Sequence, residues 1–274
     1  MDRGARHTGF IRVRASGEPG AARDAQWLML SVKTRDNESA ARALREVIAP
    51  EVPVLILQNG VDNIRRLRGI LPNPLVPTVV YVATSMSGPG RLRHAGGGEL
   101  VVGSSAEAPV AHALLESIAS TLERAGVGCR VSGNIDGELW SKLMINCALN
   151  AVSALGKARY RRMLESPHAV GVMHAAVHEV IAVARASGIR LVLSDPLETI
   201  AAVGRAYADA SSSTAQDIAR GKPTEIDDLN GFIARRGREL GIDVPVNRTL
   251  HALVRLREAA EPDGPANGPP AQNS

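Results

Sequence analysis

The sequence predicts an α/β region built on parallel strands, followed by an all-α region, with the change near residue 133. Three observations carry this. Short continuous apolar runs alternate with helical stretches up to Val131. Only helical periodicity is found from Ile135 to about Glu258. The helical stretches break at Gly156, Gly188, Gly221 to Pro223, and Gly241 with Pro245, where C-terminal glycines and helix-start prolines belong. The expected parts are residues 1–132, residues 133–258, and a disordered tail over 259–274, where Pro is frequent and apolar residues are few.

Residues 1–22 show only brief apolar stretches. Trp27–Val32 is a continuous apolar run, the mark of a strand buried on both faces. Ala40, Ala41, Leu44, Val47 and Ile48 then recur at helical spacing within 37–48. Val52–Leu57 reads as a second buried strand, stopped by Gln58-Asn59-Gly60, with a helix from about Asn63 to Leu71 after it. Val76–Ala83 is a third strand. This alternation predicts parallel pairing with right-handed crossovers. Arg91–His94 and Glu99–Val102 read as a hairpin turning at Gly96-Gly97-Gly98. No helix follows those glycines, so a turn is preferred over a phosphate cradle. Ala108–Ala125 is a helix and Val127–Val131 a last strand. Further helices are expected over 136–154, 167–187, 195–220, 225–240 and 246–258.

Composition narrows the function. The chain has 274 residues, 45% hydrophobic and 22% charged, which fits a globular protein rather than a disordered one. Its net charge is +4, with basic residues scattered among acids, so a solvated surface is favoured over a nucleic-acid footprint. The runs Trp27–Leu30 and Leu143–Leu149 are far shorter than the roughly 20 residues of a membrane span. Cys129 and Cys147 form no disulfide framework or zinc motif, and no metal is expected. The N-terminus lacks an apolar signal core, so a cytoplasmic location is expected.

The segment with most chemical content is Glu138–Asn150. It is apolar nearly all round, as a core helix is. One stripe departs from that: Glu138, Lys142, Asn146 and Asn150 follow at intervals of four and stack on a single face. Asn is a poor helix former, and an unpaired buried amide costs about 1–3 kcal/mol. Two Asn and one Lys with a single acid point to a polar cavity rather than a solvent-facing stripe. A desolvated Lys is a weaker base and so a better proton donor near neutrality. Asn amides both donate and accept, which suits a keto or hydroxy acid. Downstream, Thr224 looks like an N-cap, with Glu225 and Asp227 in the first turn. Ser211-Ser212-Ser213 marks a kink or a ligand contact. Lys33 and Asn59 each follow a predicted strand, at the sheet end where open parallel sheets bind ligands.

Five strings together resemble the ketopantoate reductase family: SVKTRD at 31–36, QNGVDN at 58–63, GPGRLRHAGGG at 88–98, ELWSKLMINCALNAVSAL at 138–155 and PTEIDDLNGF at 223–232. The resemblance runs from about residue 24 to 257. It implies a Rossmann domain carrying NADP (NADPH), then a helical domain like that of 6-phosphogluconate dehydrogenase, and reduction of the small 2-keto acid ketopantoate in pantothenate and coenzyme A biosynthesis. It implies Lys142 as general acid and Glu225 beside it, near the nicotinamide end. Asn59, Asn146, Asn150 and Ser213 would bind substrate. Lys33, Asn59, Ala83 and Glu225 would contact the cofactor. A homodimer is the implied assembly.

Three departures accompany it. No G-x-G-x-x-G occurs, so the sheet is expected to be incomplete, lacking the family's first strand–helix–strand unit. Ala210 stands where the family often has Asn, and another substrate Asn is replaced near Tyr160. The expectation is therefore an N-terminally truncated reductase. The alternative is a catalytically impaired homologue acting as an interaction module, or a degenerate gene product.

Overall fold

Hydrophobic alternation sets the architecture of the first part of the chain. In a computed structural model that describes residues 9–260, Val54, Leu55 and Ile56 are all buried. Val54 and Ile56 face one core with Leu30, Ala41, Ile64 and Leu67. Leu55 faces the other, with Val76, Leu100, Leu115, Ile118 and Leu122. A strand buried on both faces reads as a continuous apolar run, which is how it was recognised. Residues 1–8 and 261–274 lie outside the described residues, and with them most of the expected tail; Ala259 closes the last helix.

The chain divides into two compact units, one up to Leu139 and one from Trp140. The first carries a five-stranded sheet of β1 (Leu28–Leu30), β2 (Val54–Ile56), β3 (Leu75–Gly88), β4 (Arg91–Gly103) and β5 (Gly128–Ser132), in that spatial order. β1, β2 and β3 pair in parallel, as do β4 and β5. The intervening helices are α1 (Asn37–Arg45), α2 (Asn63–Arg68) and α3 (His112–Arg124).

The expected hairpin is corrected. Its turn is at Pro89-Gly90, where Gly90 has φ +67°, and β3 and β4 are its antiparallel arms. The three glycines lie inside β4, opposite Tyr81 to Ala83, where the register slips twice. Gly97 has φ +72°, and a Cβ there would stand 2.3 Å from the Tyr81 carbonyl oxygen. The glycines therefore serve bulges in a long ribbon, a use of glycine that composition does not separate from a turn.

The second part is helical: α4 (Ile135–Leu155, starting in the first unit), α5 (Tyr160–Leu164), α6 (Pro167–Ala186), α7 (Pro196–Ala206), α8 (Ser213–Ala219), α9 (Asn230–Leu240) and α10 (Pro245–Ala259). Proline stands at the first turn of α6, α7 and α10, and Gly241 (φ +68°) ends α9. Two expectations change. The helix expected over 195–220 is two, because Ser212 starts α8 by accepting from the Ala215 N–H at 3.1 Å. The helix expected from 225 starts at Asn230, after a 3-10 turn over Ile226–Asp228. α5 was not expected; five residues are too few to show a period.

α6 is also long and apolar enough to cross a membrane, with a mean hydropathy of 1.3, which a search for uninterrupted apolar runs overlooks. It packs against α5, α7, α9 and α10 and buries Met173, Ala176, Val177, Val180, Val183 and Ala184 along one side.

Gly97→Ala should lower unfolding stability by about 2 kcal/mol or more in urea titrations, since it adds a backbone clash to an unfavourable φ. Gly126→Ala carries a similar φ (+81°) with nothing within 4 Å, and should cost about 1 kcal/mol. Equal losses would contradict the bulge account.

Candidate functional site

The helical unit is organised on α4. Leu143, Met144, Cys147, Ala148 and Leu149 are each 1% exposed or less. Lys142 and Asn146 are half-buried in this surround, and Asn150 is buried. Removal from water pushes the Lys142 ammonium down to about 8, while the Glu225 carboxylate acts in the opposite direction. The charge of Glu225 therefore reaches Lys142 across 83 positions of sequence, the two residues that the family resemblance places together.

Glu138, the first rung of the stripe, belongs elsewhere. Its Oε1 accepts from Arg130 Nη1 at 2.8 Å and its Oε2 from the Tyr81 hydroxyl at 3.4 Å, both groups on strands of the first unit. Arg130 also pairs with Glu99 at 3.2 Å. Burial, reinforced by Glu138, pushes the Tyr81 phenol up to about 12. An i, i+4 series shows which side chains share a face, not which partners the series meets at each end.

Several side chains not singled out by sequence reasoning hold α4. Asn230 Nδ2 donates to the Cys147 carbonyl at 3.1 Å and to Asn247 Oδ1 at 2.9 Å. Asn247 Nδ2 donates to the Ala176 carbonyl and to Glu179 Oε2. Glu179 also accepts the Val246 and Asn247 N–H groups at the start of α10. At the far end of α4, Ser212 Oγ donates to the Asn150 carbonyl at 3.0 Å, and the Ser212 N–H donates to Ser153 Oγ at 3.1 Å. The serine cluster thus contains an anchor at Ser212, whereas Ser213 is exposed on the first turn of α8. The only sequence signals were single polar residues in apolar settings, such as Glu179 within α6.

Glu225 sits on a pinned segment. Thr224 is not the expected helix N-cap, because only a 3-10 turn follows and α9 starts at Asn230; its Oγ1 accepts from the Ile226 N–H at 3.2 Å, and its N–H donates to Glu258 of α10. Asp227, expected to serve a helix start, meets His251 Nε2 at 2.6 Å and Arg255 at 3.7 Å instead. Trp140 packs edge-to-face on Phe232 with centroids 5.5 Å apart. The Tyr160 N–H donates to the Ala210 carbonyl at 3.1 Å, and burial pushes the Tyr160 phenol up to about 12.

In the first unit, Lys33 and Asn59 follow the carboxyl ends of β1 and β2, both half-buried. The Asn59 carbonyl accepts from Asn63 Nδ2 at 2.9 Å and from Thr34 Oγ1 at 3.4 Å. Ala83 lies in β3 opposite Gly96, between two register slips. Gln58 is 6% exposed, and neither amide atom has a partner among the described residues. It lines a small cavity with Ile56, Asn63, Ile64, Pro77 and Thr78. A buried amide lacking partners fits a site that receives a polar group. Among the described residues no group of three His, Cys, Asp or Glu could hold a metal ion. Cys129 and Cys147 are free and buried.

Comparison with known proteins identifies the family. The family described as "Ketopantoate reductase PanE/ApbA" matches residues 4–107, starting earlier than the motifs alone suggested. "Ketopantoate reductase PanE/ApbA C terminal" matches residues 134–258. A 2-dehydropantoate 2-reductase of Halobacterium salinarum is 35% identical over 253 residues, 92% of this chain and 82% of that protein. The crystal structure of a PanE/ApbA family ketopantoate reductase from Ralstonia eutropha JMP134 superposes with a TM-score of 0.82 at 45% identity, covering 90% of this chain and 80% of that one. A D-mandelate dehydrogenase solved with NADH and anilino(oxo)acetate shares the fold at 22% identity and a TM-score of 0.75. With both parts of the family matched and a coupled lysine and glutamate in the helical part, the chain belongs to the ketopantoate reductase family.

Proposed function

We propose that this chain catalyses NADPH-dependent reduction of ketopantoate, or a related 2-keto acid, to the 2-hydroxy acid. The observation that carries the reading is Lys142, an ammonium whose pKa falls to about 8 within an apolar surround and which is coupled to Glu225. Family membership supports the reaction class, and the H. salinarum relative bears the name of this activity.

The chemistry follows from the side chains. The bound reduced nicotinamide supplies the hydride. Lys142 Nζ gives a proton to the carbonyl oxygen as it gains negative charge, so C=O becomes CH–OH and the lysine is left neutral. A donor with a pKa near 8 is mostly protonated at neutral pH yet releases its proton more readily than an ordinary lysine. The Glu225 carboxylate keeps that proton from being lost too early, because it favours the charged form. Asn146 and Asn150 orient the keto acid with donors and acceptors, and Ser213 serves its carboxylate end. Lys33, Asn59 and Ala83 take the cofactor, with Glu225 near its reactive end. The orphaned Gln58 amide fits a polar group arriving at the same sheet end.

Incubation with ketopantoate and NADPH should oxidise the cofactor, and Lys142→Ala should lower kcat/KM by about 10²–10⁴. No turnover and no NADPH binding by the purified chain would overturn the reading and favour the non-catalytic alternative. The reduction rate should fall above about pH 8 as Lys142 loses its proton; a flat profile up to pH 9.5 would contradict its role as acid.

Stability provides an independent check. An unfolded lysine titrates near 10.4, and folded Lys142 near 8. Between those values the unfolded chain binds more protons, so stability rises with pH across that window and stays level above it. Lys142→Met should remove the rise in urea titrations. A variant with the same slope as the parent protein would place the lysine in ordinary solvent.

A further inference from the structure

The Asn59 carbonyl is held by a chain of buried amides that the proposed chemistry does not use. Asn63 Nδ2 donates to it at 2.9 Å, and Asn37 Nδ2 donates to Asn63 Oδ1 at 2.9 Å. Asn37 is fully buried and Asn63 is 4% exposed. Thr34, also buried and next to Lys33, approaches the same carbonyl with its hydroxyl at 3.4 Å. Asn37 and Asn63 are the first residues of α1 and α2, yet neither caps its helix with its side chain. Their amides face each other and the loop after β2.

This arrangement is costly. Asn37 Oδ1 accepts from no described residue, and burying amides costs more than filling the same space with apolar groups. What it obtains is geometric. The direction of the Asn59 carbonyl is the ψ angle of residue 59, and the peptide it belongs to leads into Gly60 at φ +91°. Fixing that plane from two sides sets where the Asn59 side chain emerges. Because Thr34 and Asn37 flank the start of α1, the same contacts tie the loop bearing Lys33 to the loop bearing Asn59.

We propose that Asn63, backed by Asn37, is a positioning residue that orients Asn59 for the dinucleotide. The proposal rests on the reductase reading, in which Asn59 touches the cofactor. Asn63 acts through Asn59, and Asn37 acts through Asn63.

The test is NADPH affinity of the full chain, followed by cofactor fluorescence, with thermal unfolding measured in parallel. Asn63→Ala should raise the NADPH Kd about tenfold, the scale of one well-made hydrogen bond. Asn37→Ala should raise it by less, and the double variant no more than Asn63→Ala alone. Should Asn63→Ala fail to fold, Asn37→Asp serves instead. It keeps the volume but puts an acceptor against Asn63 Oδ1, turning the Asn63 amide away from Asn59, and should weaken NADPH binding to a similar extent. Variants that lower Tm yet bind NADPH as the parent does would overturn the proposal, because the amides would then only hold the fold. Loss of affinity in Asn59→Ala without loss in Asn63→Ala would overturn it while the reductase reading stands. Absence of NADPH binding in the parent chain would overturn both.

Discussion

An ammonium held among apolar side chains is expensive, and α4 exists in a form that keeps Lys142 in that state. Desolvation lowers the affinity of its nitrogen for a proton, and the Glu225 carboxylate returns part of it. The balance sets the ammonium's pKa at about 8. It requires a helix whose other faces are closed by packing, and Leu143, Met144, Cys147, Ala148 and Leu149 provide this. It also requires that Glu225 stay at its post, which the contacts of Thr224 with the Ile226 N–H and Glu258 secure.

The remaining polar groups of the helical unit keep α4 in register. Asn230, Asn247 and Glu179 link the middle of α4 to α6 and to the start of α10. Ser212 and Ser153 bind its far end to the start of α8. Asn230 Oδ1 alone accepts from no described residue; the bonds that are made are strong in a low-dielectric interior and costly when broken. They act as struts. In the α/β unit the amides of Asn37 and Asn63 perform a similar service for the loop that carries Asn59.

How much of this was legible depended on distance along the chain. The α4 stripe could be read directly, because helical spacing is local. The three parallel strands were found for the same reason, since a strand buried on both faces is a local apolar run. The struts were not, as Asn230 meets the carbonyl of Cys147 across 83 positions and Ser212 meets that of Asn150 across 62. No periodicity reports such pairs. Glycine misled in one place: Gly96 to Gly98 read as a turn, whereas close approach of Gly97 to the Tyr81 carbonyl is what demands them. Glu138 misled in another, because its helical face was evident but its engagement with Arg130 was not.

The protonation state of Lys142 can be observed directly. Reductive methylation with ¹³C-labelled formaldehyde gives each lysine amine its own NMR signal, and the Lys142 signal is identified by its absence in Lys142→Arg. Its midpoint should lie near pH 8, and Glu225→Gln should move it lower, because a neighbouring negative charge favouring the ammonium is gone. A midpoint near 10.4, unmoved by Glu225→Gln, would show a lysine in ordinary solvent and would contradict the account.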